Sequence, residues 1–150
     1  MFDDNQRLVA AIQLAVVAHG MQLDKGGLPY ILHPLHVMGS VDGIDAKIVA
    51  VLHDVVEDTH ISLDDIRNHE VGFSQEIIDA IDAITKRERE KNESYWTRVK
   101  ASPLATRVKL ADIAHNTSAK RIAVLSEDER WYLLEKYGKA IAFLTGTVNG

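Results

Sequence analysis

Apolar residues recur at spacings of three and four along most of the chain, the period of helices packed against a core. Within residues 8–18 and just beyond, Leu8, Ile12, Ala15, Val16 and His19 fall on one face of an amphipathic helix. Gly20, Gly26, Gly27 and Pro29 interrupt the pattern. Pro34 then opens a second helix, which puts His33 at its mouth. A third helix is predicted over 46–58. Ser62 and Ser74 read as N-caps of a fourth and a fifth, the latter running over 75–85 with Ile77, Ile78, Ile81 and Ile84 at helical spacing. The charged run 86–93 is predicted to be an exposed connection. A helix over 94–101 precedes Pro103, which opens a long helix over 103–120; Ser126 caps a final one over 127–145, with Gly146 beyond its end. No strand-length alternation, internal repeat or low-complexity tract appears. The expectation is an all-α bundle of seven or eight helices.

Composition fits this picture. The 150 residues are 46% hydrophobic and 26% charged, which suits one globular domain spanning 1–150 and is too apolar for disorder. No apolar run reaches the roughly 18 residues a spanning helix needs. The stretch 8–18 follows Asp3, Asp4 and Arg7, where a signal peptide would carry a purely basic start. No membrane association is expected. With no cysteine, disulfides and thiolate metal sites are excluded, and a cytoplasmic location is expected.

Charge changes the picture more. Seventeen basic against 22 acidic residues give −5, which disfavours nucleic acid as a partner. Residues 86–121 nevertheless hold 10 Lys and Arg against four acids, a local +6, while the remainder holds 7 against 18, or −11. A small, highly charged anion fits that asymmetry better than a long polyanion. For 86–93 alone, solvated surface charge is the simpler account.

The candidate chemistry lies at the end of the third helix. Its apolar body predicts burial, yet His53, Asp54, Glu57 and Asp58 crowd its C-terminus. Helical spacing sets His53 beside Glu57 and Asp54 beside Asp58. Carboxylates there meet mutual repulsion and the negative end of the helix dipole, so a divalent cation is an economical partner. In the bland alternative, the acids face water and His53 is an ordinary core histidine. Asp112 sits among apolar neighbours on another helix, with Asn116 one turn on, and His33 stands at a third helix. Two imidazoles and two carboxylates suit octahedral Mn²⁺ or Fe²⁺, and Zn²⁺ accepts the same donors.

The wording around these residues resembles a known family. Ala18-His19 with Gln22 and Lys25, then residues 29–35 (PYILHPL), resemble the first hydrolase motif of RelA/SpoT-type HD-domain phosphohydrolases. Residues 52–59 (LHDVVEDT) are similar to the second motif, and 108–112 (VKLAD) with His115-Asn116 to the last. Because 150 residues leave no room for a synthetase domain, the resemblance implies a stand-alone small alarmone hydrolase of the metazoan SpoT-homologue type. It implies an HD-domain helical bundle in which His33, His53, Asp54 and Asp112 hold one Mn²⁺, with Fe²⁺ or Zn²⁺ as other occupants. Glu57 and Asp58 orient the attacking water and take its proton, and Asn116 contacts the ribose or the bridging oxygen. The expected reaction is hydrolysis of guanosine 3′,5′-bispyrophosphate to GDP, or to GTP from the pentaphosphate, with release of pyrophosphate. Lys25 and some of Lys109, Arg107, Lys100 and Arg98 are candidates to bind the diphosphates, and Tyr30 and Trp96 to stack the base.

Two positions depart from the family pattern. Asp24 stands where an arginine normally helps hold the purine, and Ala119 replaces a common threonine. They leave open another substrate, such as an adenosine 3′,5′-polyphosphate, NADPH or a nucleoside 5′-phosphate. A nucleotide sensor without catalysis is a further class, and a metal-free helical scaffold the blandest. The partner expected is a small nucleotide; an oligomer would form through apolar faces of the first or last helix. Asp54→Ala and Asp112→Ala are each expected to abolish metal binding and phosphohydrolase activity, and unchanged turnover in either refutes the site. Glu57→Gln is expected to keep the metal and lose most of the rate.

Overall fold

The structure, a computed structural model, describes residues 1–147. Among them, seven helices of eight residues or more and three short ones surround one core: α1 (Asp4–His19), α2 (Leu32–Gly39), α3 (Ile44–Leu52), α4 (Val55–Asp58), α5 (Leu63–Arg67), α6 (Gln75–Ile84), α7 (Asn92–Lys100), α8 (Pro103–Asn116), α9 (Ala119–Ile122) and α10 (Glu127–Thr145). The all-α expectation stands. An isolated bridge between Leu23 and Pro29 is the only β pairing among the described residues.

Helix α3 is the centre of the bundle. Ala46, Ile48, Val49, Ala50, Val51 and Leu52 are all buried, and α1, α2, α6 and α8 pack around it. Its one cation, Lys47, lies along the flank and donates to the carbonyls of Met38 and Val41 at 3.2 and 2.8 Å. Helices α6 and α10 begin at the serine caps expected for them, and α8 begins at Pro103 behind a further serine cap. Ser74, Ser102 and Ser126 each accept a first-turn backbone N–H, from Ile77, Ala105 and Glu129. Asp3 and Gln6 form a reciprocal capping box that starts α1 earlier than the apolar pattern suggests.

Three expectations need correction. On α1 the buried face is Ala11, Ala15 and His19, while Val16 is 46% exposed; small side chains let α1 approach α3 closely. The helix predicted over 46–58 breaks at His53-Asp54. There the His53 ring nitrogen Nδ1 donates to the Ala50 carbonyl at 2.5 Å, taking the acceptor that a continuing helix would offer the Asp54 N–H. The helix predicted over 103–120 ends at Asn116, where Thr117 bonds back to the Ile113 carbonyl and Ser118 turns extended to start α9.

The connection 86–93 is only partly exposed. Arg98 on α7 donates to both carboxylate oxygens of Glu90 and to the carbonyls of Asp82, Ala83 and Thr85 at the end of α6. Charge-assisted bonding to Arg98 holds the Glu90 carboxyl down at about 2. The clasp therefore contributes stability above the ordinary glutamate range and loses it as pH falls toward that value. Arg98 is thereby committed to the fold, which removes it from the diphosphate candidates.

Outside the core, Val9 and Val17 on α1 and Trp131, Tyr132 and Leu134 on α10 are exposed. Leu52→Ala, at a fully buried position, is expected to cost about 2–5 kcal/mol. Leu134→Ala, on the outer face of α10, is expected to cost less than about 0.5 kcal/mol. Urea unfolding followed by circular dichroism measures both, and equal losses would contradict the central placement of α3.

Candidate active site

Four polar side chains are buried among the described residues: His19, His33, His53 and Asp112. Three of them meet at one point. His33 comes from the first turn of α2, His53 and Asp54 from the break after α3, and Asp112 from the apolar stripe of α8 that also holds Leu104, Val108 and Ile113. Asp112 Oδ1 lies 2.8 Å from His33 Nε2 and 3.1 Å from His53 Nε2. Asp54 Oδ2 lies 3.1 Å from His53 Nε2 and 3.7 Å from His33 Nε2.

These four donors fit a cation. One ligand atom from each of His33, His53, Asp54 and Asp112 lies within 4.8 Å of every other. Nitrogen and oxygen donors bound at about 2.0–2.2 Å to a common ion stand about 3 Å apart when adjacent. The break in the helix produces this convergence, since it turns Asp54 back toward His53 Nε2 while Nδ1 of the same ring is pinned to Ala50.

Electrostatics points the same way. Burial opposes a charged His53, yet Asp54 and Asp112 outweigh it and raise its pKa well above the ordinary histidine value. Burial likewise opposes ionised Asp112, and Lys109 with His53 reverses that, holding its carboxyl well below the usual range. Burial also opposes an ionised Asp54, which is half-buried, and His53 reverses that, so both carboxylates stay ionised and call for positive charge at their shared centre. Neighbours hold both carboxylates: Asp112 Oδ2 accepts from Lys109 Nζ at 3.0 Å, Asp112 Oδ1 from Asn116 Nδ2 at 3.1 Å, and Asp54 Oδ2 from the Tyr30 hydroxyl at 2.5 Å.

The cluster opens into a cleft of about 200 Å³. Glu57 and Asp58 stand on its rim one turn past Asp54, with Glu57 Oε1 accepting the Lys86 backbone N–H at 2.7 Å. Burial, then the neighbouring carboxylates, push both acids above their ordinary values, and the Lys86 N–H partly offsets the rise at Glu57. Gln22 bonds His19 Nδ1 and the Asp58 carbonyl, which ties α1 to this rim. A larger depression of about 430 Å³, between the start of α1 and His69, contains none of these groups.

A cationic wall adjoins the cluster. Lys86, Lys109 and Lys136 line the cleft with Asn92, Trp96 and Tyr137. Lys109 Nζ sits 5.4 Å from the Tyr95 ring centre and 5.8 Å from that of Tyr137. Burial, then repulsion from Lys109 and Lys86, pushes the Lys136 ammonium down, so the three charges act on one another.

Of the candidates, Tyr30, Trp96, Lys109 and Asn116 line this cleft. Lys25 does not: it is 69% exposed and pairs with Glu129 at 2.5 Å, at the start of α10. Arg107 donates to the Asp42 carbonyl, and Lys100 lies over the Phe143 ring. Lys136 and Tyr137 went unrecognised because α10 carries no motif, and their place depends on its packing against α7 and α8. Asp24 accepts the Gly26 and Leu28 N–H groups at 2.9 Å each and lies 3.7 Å from Arg121, so its carboxylate organises its own loop.

No protein-family model matches the chain. It is 32% identical over 131 residues to the mouse guanosine-3′,5′-bis(diphosphate) 3′-pyrophosphohydrolase MESH1, covering 77% of this chain and 70% of that protein. It is 30% identical over 137 residues to the Aquifex aeolicus guanosine-3′,5′-bis(diphosphate) 3′-pyrophosphohydrolase, covering 83% of this chain and 19% of that one. It is 32% identical over 124 residues to a probable GTP pyrophosphokinase of Mycobacterium leprae, covering 74% of this chain and 15% of the relative. The chain thus spans less than a fifth of the length of these two bacterial relatives. Its fold superposes with TM-score 0.78 on a solved metazoan orthologue of SpoT that hydrolyses ppGpp, over 94% of this chain and 86% of that one at 21% identity.

Tyr30→Phe removes the hydroxyl that holds Asp54 and is expected to weaken divalent-cation binding about tenfold while leaving the melting temperature nearly unchanged. Calorimetric titration with Mn²⁺ checks this, and unaltered affinity would contradict the role of that hydrogen bond.

Proposed function

The chain belongs to the family of guanosine-3′,5′-bis(diphosphate) 3′-pyrophosphohydrolases, and from that premise we propose that its cleft hydrolyses guanosine 3′,5′-bispyrophosphate to GDP and pyrophosphate. The pentaphosphate would give GTP. One observation carries the proposal: an imidazole–carboxylate cluster, two further acids and three lysines open into a single cleft.

His33, His53, Asp54 and Asp112 would hold one Mn²⁺, with Fe²⁺ or Zn²⁺ acceptable to the same donors. When bound, the ion supplies charge against the phosphate under attack and makes water a stronger acid. The chain's own groups do the rest. Glu57 and Asp58, off the four-donor cluster but beside it, orient the water and accept its proton; their raised pKa values suit a base. A new bond forms from the water oxygen to the phosphorus on the ribose 3′ oxygen. The bond from that phosphorus to the 3′ oxygen breaks, and the 3′ oxygen takes up a proton.

Lys86, Lys109 and Lys136 bind the diphosphate oxygens, which relieves the repulsion among them. Asn116, already bonded to Asp112, reaches the ribose or the bridging oxygen, while Tyr30 and Trp96 contribute aromatic surface. A free nucleotide substrate supports a cytoplasmic location. No helix among the described residues is long and apolar enough to cross a membrane.

A related nucleotide is the second reading, favoured by Asp24, an anion tied into the loop beside the first motif. Purified protein is incubated with Mn²⁺ and, in turn, guanosine 3′,5′-bispyrophosphate, an adenosine 3′,5′-polyphosphate, NADPH and a nucleoside 5′-phosphate, and the products are separated by chromatography. GDP and pyrophosphate from the first are expected. Turnover of another nucleotide and none of the first would overturn the substrate assignment, and binding without any turnover would favour a sensor.

A further inference from the structure

We propose that His115 is a positioning residue that fixes the proton and the ring of His33, an inference that rests on the cation site proposed above. The His33 Nδ1 and His115 Nδ1 atoms are 2.7 Å apart, and the two ring planes lie within 8° of each other. Two imidazole nitrogens at that distance share one hydrogen bond, in which one donates and the other accepts. The direction follows from the other side of His33. Its Nε2 faces Asp112 Oδ1 at 2.8 Å and Asp54 Oδ2 at 3.7 Å, so a cation at this centre needs the Nε2 lone pair free. The His33 proton then sits on Nδ1 and is donated, and His115 accepts through an unprotonated Nδ1.

A metal-binding histidine usually gives its second N–H to a carboxylate, a carbonyl or water. Here the acceptor is a second imidazole, and its plane is held from outside. His36, one turn along α2 from His33, stacks on His115 with ring centres 3.8 Å apart and planes within 15°. His115 also shares a turn of α8 with Asp112 of the cluster and with its hydrogen-bond partner Asn116. Asp112 supplies a carboxylate, Asn116 donates to that carboxylate at 3.1 Å, and His115, between them in sequence, holds the facing imidazole. One helical turn thus orients donors from both sides of the centre.

Two substitutions separate an acceptor role from mere filling of space. His115→Phe keeps a ring against His36 and removes the acceptor, while His115→Asn places a side-chain oxygen near the position of Nδ1 and restores it. Free Mn²⁺ is titrated by electron paramagnetic resonance against wild type and both variants, with circular dichroism melting as the folding control. The Phe variant is expected to bind Mn²⁺ about 10–100-fold more weakly than wild type. The Asn variant should bind close to wild type, and both should melt as wild type does. A Phe variant that binds like wild type, or an Asn variant as weak as Phe with its fold intact, overturns the inference alone. A wild-type chain that binds no Mn²⁺ overturns the proposed cation site and this inference together.

Discussion

Burying Asp112 at 4% exposure, with Asp54 beside it, sets the terms for the rest of the molecule. An ionised carboxylate inside a helical core is tolerated only where positive charge and hydrogen-bond donors answer it. Two histidines face Asp112 Oδ1 and Lys109 takes Oδ2, while Asn116 and Tyr30 donate to Asp112 Oδ1 and Asp54 Oδ2. The apolar helix α3 ends where this demand begins. Its last residue, Leu52, is core, and the next two are part of the cluster.

Local geometry and long-range packing are coupled at that point. The His53 side chain breaks its own helix by bonding to Ala50, and the break lets Asp54 and His53 face the same centre. Helix α8 performs the complementary task without a break, using its i, i+3 and i+4 positions. Cleft and core are therefore one construction: the helices that exclude water from Val49 and Ile81 also hold the acids apart from solvent. The cationic wall has a different origin. Lys86 is presented by a loop that Arg98 clasps, and Lys136 by the last helix.

Much of this was legible along the chain because it is written locally. Serine caps, the isoleucine stripe of α6 and the long α8 and α10 follow from periodicity and punctuation. The cluster residues were legible because ionisable side chains interrupt apolar helices, and because their wording matches a family. What escaped depends on contacts between distant segments. A continuous third helix was the natural expectation, since no proline or glycine marks 53–54 and the break comes from a ring nitrogen reaching a carbonyl. Lys25 looked like a phosphate ligand from its place in a motif, yet α10 brings Glu129 to it at 2.5 Å. Lys136 lay on a helix with no motif, and only packing carries it to the cleft.

The most direct measurement is crystallographic: crystals grown with Mn²⁺, and an anomalous difference map recorded at the manganese absorption edge. The account predicts a single strong peak bounded by the Nε2 atoms of His33 and His53 and by carboxylate oxygens of Asp54 and Asp112. A peak held by other residues, or none at saturating Mn²⁺ with these four side chains in place, would contradict it.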